Sequence, residues 1–244
     1  MKRVFASSYQ AVSGTGAQAI EELEAQIRDW ASADRKWDDV RLAADKVKVY
    51  PHQIAFNALP HVDSFLDSGY TKEEMKMENE GRKIMHHPGF RASVTCVRVP
   101  VFRAHSVAVS AEFEKPVTVA EARAVLAKAP GLDVVDDPTL KQYPLALDVA
   151  GKDNCAVGRL RLDCALDNGL ASGSPATSSS KEPLSMRCRS LSACNRHPGR
   201  LFHPAAAFWS CGVFVGLSER VVQSSRLPPS CLMSRHFQCT LTRL

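Results

Sequence analysis

Apolar residues recur at spacings of three and four along Ala17, Ile20, Leu23, Ile27 and Trp30, the period of a helix with one buried stripe, and Gly14 and Gly16 stand just ahead of it. Thr71 with Glu74, and Thr118 with Glu121, each place a hydroxyl three residues before a carboxylate. That is a capping box, in which each side chain satisfies a backbone N–H at the helix start. It predicts one helix from Thr71 to about His86 and a second from Thr118 to near Pro130. Between these the period drops to two. Ser93–Val101, Ser106–Glu114, Leu132–Asp136 and Ala156–Leu162 read as strands. In the first, Thr95, Val97, Val99 and Val101 point one way, and Val94, Cys96 and Arg98 the other. The order of elements predicts an α+β fold, a mixed β-sheet with helices packed on one face.

After Leu170 the pattern is lost. Ser172–Ser185 (SGSPATSSSKEPLS) is rich in Ser and Pro without a period and reads as linker or disorder. The remainder has scattered Ser, Arg and Cys, and Phe208–Leu217 offers one short buried element at most. The expected organisation is a folded domain over 1–170 and an irregular tail over 171–244, disordered or foreign to the fold.

Composition sharpens that boundary. The chain has 244 residues, 45% hydrophobic and 23% charged, which excludes a wholly disordered, collagenous or coiled-coil protein. Its net charge of +5 is uneven. Residues 1–170 carry 22 Lys+Arg against 24 Asp+Glu, and residues 171–244 carry 9 against 2. The body has no basic stripe for nucleic acid. The longest near-apolar run, Ala205–Leu217, has 13 residues, short of the ~20 a membrane span needs. The start, MKRVFASSYQ, has no apolar stretch behind its charges and is not read as a secretory signal. Three of the eight cysteines lie in the body, the pattern of a reduced intracellular protein.

Four features of the body bear on chemistry. The segment Ser7–Gly16, containing Gln10, leads polar groups into a helix start, which suits an anion or polar substrate and equally describes a plain turn. Glu73 and Lys76 are spaced i, i+3, either as an exposed ion pair or as opposite charges aimed into one cleft. Arg98, opposite the Val face of its strand, is either solvated or a two-pronged clamp for a carboxylate. His105 follows seven residues later, a candidate general acid/base or a structural histidine. An anion clamp and a proton carrier on adjacent strands suit one pocket. His86 and His87 diverge by 100° on a helix and do not share a metal. Cys188, Cys194, His197 and His203 match no zinc spacing, and Cys96 and Cys164 read as buried inert thiols within strands. No metal site is expected.

Taken together, SSYQAVSGTGAQAIEEL, HQIAFNALPHVD, GYTKEEMKM, RKIMHHP, SVTCVRVPVFRAHS and GKDNCAVGRLRLD resemble, in order, the C-terminal catalytic and dimerisation domain of the aspartate-semialdehyde dehydrogenases. The resemblance runs from about Val4 to about Leu170. It implies a glyceraldehyde-3-phosphate-dehydrogenase-like C-terminal domain, and an oxidoreductase that reduces β-aspartyl phosphate with NADPH to aspartate β-semialdehyde and phosphate through a cysteine thioester. Such an enzyme feeds lysine, threonine, methionine and isoleucine synthesis and, in many bacteria, diaminopimelate. It implies a cytoplasmic homodimer (plastid in a plant or alga) acting on a small molecule, without nucleic acid or membrane partners.

Residue by residue, the resemblance makes Gln10 the group that orients the acyl carbon, His105 the acid/base, Arg98 the clamp for the substrate α-carboxylate, Glu73 the partner of its ammonium and Lys76 that of the phosphate. It moves Glu73 and Lys76 from exposed pair to cleft. The family's nucleotide half and nucleophilic cysteine precede the Tyr-Gln motif, so both are expected upstream of Met1, and no residue here is assigned to NADP. The chain alone is then expected to be inactive. Alternatives are a non-catalytic dimerisation module, or a relative acting on N-acetylglutamyl phosphate. Loss of the next sheet strand at the tail is expected to leave an open edge and poor solubility.

Overall fold

The computed structural model describes residues 1–33 and 35–177. One six-stranded sheet organises them. Strand β1 (Arg3–Gln10) pairs in parallel with β2 (Ala92–Arg98) and antiparallel with β3 (His105–Glu112). Strand β4 (Leu132–Val134) pairs in parallel with β5 (Cys155–Leu162), and β6 (Gly169–Thr177) lies antiparallel between β3 and β5. The order is β2-β1-β3-β6-β5-β4, a mixed sheet as the residue pattern predicts.

Alternation decides which face is covered. Val4 and Ala6 of β1, Val94 and Cys96 of β2, and Val107, Val109 and Ala111 of β3 form one buried face. Helix α2 (Lys72–Ile84) packs there through Met77, with Phe90 and Val62 filling the gap. Phe90 is fully buried, a contribution of about 1.5–3 kcal/mol. Gly81 permits the contact, since a Cβ there would stand 2.5 Å from the Phe90 ring. The other face carries Phe5 and Tyr9, both about two-fifths exposed.

Helix α1 (Ala17–Ser32) covers the end of the sheet near Gln10 with Ala19 and Leu23, against Val12, Ile54 and Leu59. Two polar residues on its buried side hold the following loop. Glu22 accepts from the N–H groups of Lys48 at 2.8 Å and Val49 at 2.5 Å. Gln26 accepts from those of Ile54 at 3.2 Å and Ala55 at 2.9 Å. The loop in turn clamps the end of β2, because Leu59 and Arg98 exchange both backbone hydrogen bonds, at 2.9 and 2.8 Å. Helix α3 (Val119–Leu126) packs on β4 and β5, and α4 (Ala146–Val149) on β6 and, through Val149, on Ala156 of β5.

Several expectations change. Strand β1, at the centre of the site, has only Val4 and Ala6 as apolar inward residues before Ser8 and Gln10, too short a pattern to stand out. β2 ends at Arg98, not Val101, where Pro100 removes a donor. Its buried side is that of Val94, Cys96 and Arg98; Thr95 is exposed and Val97 only half-buried on the open face. α2 ends at Ile84 and α3 at Leu126, each earlier than predicted. β6 crosses the expected boundary at Leu170, so 171–177 form strand and not linker. β6 has one extra residue against β3, between Ser172 and Ala176, and again against β5, between Gly173 and Ala176. This bulge admits Pro175, which has no N–H for a ladder. The open edge expected from a lost strand is therefore filled, and the sheet edges are β2 and β4. The reading of Phe208–Leu217, with the rest of 178–244, lies outside the described residues, as do Cys188, Cys194, His197 and His203.

Candidate active site

Gln10 ends β1, Arg98 ends β2 and His105 begins β3, and the pairing of these strands sets the three side by side on the covered face. All are buried: 3%, 6% and 8% exposed. Ala11, the next residue after β1, joins two of them. Its N–H donates to His105 Nδ1 at 2.9 Å, and its carbonyl accepts from Arg98 Nη1 at 2.7 Å. The chain then turns through a 3-10 segment, Val12–Thr15, into α1. Gly14 lies against both side chains, and a Cβ there would stand 3.1 Å from Arg98 Nη1 and from the His105 ring. Neither reading of Arg98 as solvated nor of His105 as a partly exposed structural residue survives this burial. Arg98 Nε has no hydrogen-bond partner, and it is the one buried side-chain nitrogen or oxygen in that state among the described residues.

Helix α2 brings the other two candidates. Gln10 Nε2 lies 3.4 Å from Glu73 Oε1 and 3.3 Å from Ser8 Oγ. Lys76 Nζ lies 3.8 Å from Glu73 Oε2. The i, i+3 ion pair thus forms, with Lys76 exposed and Glu73 turned inward to Gln10. Glu74 aims α2. One carboxylate oxygen accepts from the Thr71 N–H at 2.7 Å, completing the capping box, and the other from the Cys96 N–H of β2 at 2.9 Å. The capping box was legible from spacing, but the second tie, Ala11 and the role of Gly14 were not. The one available signal for Gly14 was the Gly-Thr-Gly run that begins four residues after Gln10.

Electrostatics follow from burial. The His105 imidazole is pushed down to about 4 by desolvation first and the Arg98 guanidinium second, so it is neutral at pH 7. The Cys96 thiol is pushed up to about 11, mainly by burial, against a lowering hydrogen bond from Ser8. It is an inert thiol. Cys164, expected to be buried in a strand, is exposed beyond the end of β5. His86 and His87 lie past α2, and the His87 ring meets the Met1 carbonyl at 2.9 Å. Among the described residues no cluster of three His, Cys, Asp or Glu could hold a metal, and no helix is long and apolar enough to cross a membrane.

Two surface concavities lie elsewhere. One, of about 830 Å³, is bounded by Val40, Leu42, Tyr50 and Phe56, and the other, of about 260 Å³, by Val135, Tyr143 and Val149. The charged cluster lines neither, because the Ala11–Gly14 turn is packed onto it.

The semialdehyde dehydrogenase dimerisation-domain family matches residues 1–173. The chain belongs to that family. Aspartate-semialdehyde dehydrogenases of Aquifex aeolicus and Legionella pneumophila are each 48% identical over 171 residues, 70% of this chain. Those 171 residues are 48% and 47% of the two relatives, so the chain spans about half the length of the curated relatives it matches. The crystal structure of aspartate semialdehyde dehydrogenase II from Vibrio cholerae superimposes with a TM-score of 0.69 at 30% identity, covering 80% of this chain and 54% of that one. Its complex with ASA gives the same score over 81% and 56%. The fold of this semialdehyde dehydrogenase domain is thus the mixed sheet of those enzymes.

Proposed function

We propose that this chain supplies the substrate-binding and proton-handling part of an NADP-dependent aspartate-semialdehyde dehydrogenase. The observation that carries the reading is Arg98 Nε, a buried donor with no acceptor. Leaving such a group unsatisfied costs about 1–3 kcal/mol, and a carboxylate ligand supplies the acceptor that is missing. Glu73 and Lys76 add an anion for the substrate ammonium and a cation for phosphate, 3.8 Å apart at the same helix start. Gln10, between Glu73 and Arg98, offers its amide to the acyl carbonyl.

The described residues do not fit the dinucleotide. The one glycine-containing turn after a strand, Val12–Thr15, is filled by Arg98 and His105 and leaves no cradle for a pyrophosphate. Nor does the cluster hold a thiolate, since Cys96, the thiol beside it, is buried and protonated. A chain confined to this part binds substrate without turning it over. Isothermal titration with aspartate β-semialdehyde and with inorganic phosphate is the test. Binding of both is expected, phosphate lost in Lys76→Ala and the semialdehyde weakened about tenfold or more in Glu73→Ala. Heat from neither overturns the reading. An NADPH-linked phosphorolysis assay separates it from a full catalyst, with no rate above a cysteine-blocked control expected.

The family's name and the bare sheet face support a homodimer through that face. Phe5 and Tyr9 stand exposed on β1 with Thr95 on β2, apolar and β-branched groups with no covering helix among the described residues.

A further inference from the structure

The buried side of α1 is half polar: Ala19 and Leu23 share it with Glu22 and Gln26. A side-chain amide is buried without loss only where its polar atoms find partners. Those of Gln26 do. Its Nε2 donates to the Lys46 carbonyl at 3.0 Å and to Glu22 Oε1 at 3.3 Å, and its Oε1 accepts from the N–H groups of Ile54 and Ala55. Ile54 and Ala55 are fully buried, so Gln26 serves those two donors in place of water. The segment it holds is sharply bent. Phe56 has a φ of 61°, a left-handed conformation that a bulky residue rarely adopts and that persists only where the surroundings impose it. The Asn57 N–H closes the bend on the Ile54 carbonyl at 3.2 Å. Two residues on, Leu59 donates to the Arg98 carbonyl and accepts from the Arg98 N–H. Both main-chain polar groups of Arg98 are thus engaged by this loop, and the loop is fastened to α1 by Gln26.

We infer that Gln26 is a positioning residue for the Arg98 clamp, acting through the Ile54–Leu59 segment, with Glu22 holding its amide in place. This deepens the dehydrogenase reading and rests on it for the identity of the ligand, a substrate carboxylate. A guanidinium binds a carboxylate through hydrogen bonds whose strength depends on angle as well as distance. Arg98 Nη1 is committed to the Ala11 carbonyl, and Nε is the donor left for a ligand. A small shift of the last residue of β2 turns that donor away from its target. The phosphate side of the site depends on other ties. Lys76 stands on α2, which is aimed by Thr71 and by the bond from the Cys96 N–H to Glu74. Release of the loop from Gln26 therefore weakens carboxylate recognition selectively, whereas a general loosening of the fold weakens both.

Amide hydrogen exchange of the ¹⁵N-labelled full chain tests the link without any ligand. Gln26→Met keeps the size of the side chain and removes its hydrogen bonds. In that variant the amides of Ile54, Ala55, Leu59 and Arg98 are expected to exchange about tenfold faster or more, while those of Cys96 and Val135 keep their rates. Isothermal titration then reads the selectivity: aspartate β-semialdehyde is expected to bind about tenfold more weakly and inorganic phosphate within about twofold of the parent. Unchanged exchange at Leu59 and Arg98, or a rise shared by Cys96 and Val135, overturns the inference, and so does equal weakening of the two ligands. If Gln26→Met does not fold, Glu22→Gln serves, since it faces the Gln26 amide with a second amide. The same four amides are then expected to exchange faster by a smaller factor, and no change at them counts against the inference. Failure of the parent chain to bind the semialdehyde, with the exchange pattern as expected, would sink the dehydrogenase reading and leave the positioning of Arg98 by Gln26 standing.

Discussion

His105 shows how burial turns a common residue into a particular one. Its imidazole sits at about 4, down from an ordinary 6.5, through desolvation and then Arg98. The unfolded chain takes up a proton as pH falls below about 6.5, and the folded chain refuses it until about 4. Stability therefore falls with falling pH across that window, by about 3 kcal/mol in all. That is a large share of the 5–15 kcal/mol of a typical domain. Urea unfolding at several pH values checks it: the slope between pH 6.5 and 4 flattens in His105→Gln, and a slope that does not change refutes the assignment. Cysteine reactivity is a second residue-scale test. Iodoacetamide at pH 8 should alkylate exposed Cys164 and leave Cys96 unmodified until the protein unfolds, as peptide mapping would show. Gly14→Ala should cost about 1–3 kcal/mol, because the Cβ meets Arg98 and His105 at 3.1 Å. The candidates themselves were legible as residue types. Which atoms meet was not, since the contacts of Arg98 and His105 with Ala11 span 87 and 94 residues of chain.

At the scale of elements, α2 is aimed by one side chain. Glu74 holds its own helix start and the Cys96 N–H of β2. Thr71→Ala removes one cap hydrogen bond, an expected loss of about 1 kcal/mol in thermal or urea unfolding. Glu74→Ala should cost more, because it also strands a backbone donor on β2; equal costs for the two variants would show the strand tie to be idle. Capping boxes are readable at both Thr71 and Thr118 because their chemistry is local, three residues wide. β1 and β6 were not readable for the opposite reason. β1 trades apolar residues for Ser8 and Gln10 where it enters the site, and β6 has linker-like Ser, Gly and Pro that two neighbouring strands nonetheless pair. Strand identity there is imposed by the ladder partners and not by propensity.

At the largest scale, among the described residues, the sheet has one face covered by helix and loop and one face bare. A homodimer through the bare face predicts that Phe5→Glu with Tyr9→Glu yields monomer in analytical ultracentrifugation at micromolar concentration. A monomeric parent chain would remove the basis for it. The sequence by itself determined the helices with local caps, the period-two strands, the mixed α+β class and the residue types able to bind a charged substrate. Those features depend on neighbours a few positions apart. Only the tertiary structure decided that Arg98 is buried with its Nε lacking an acceptor, that Ala11 ties it to His105, and that Ser172–Thr177 belong to the sheet. Each of these depends on groups far apart in the chain being driven together and then compelled to satisfy their hydrogen bonds out of water.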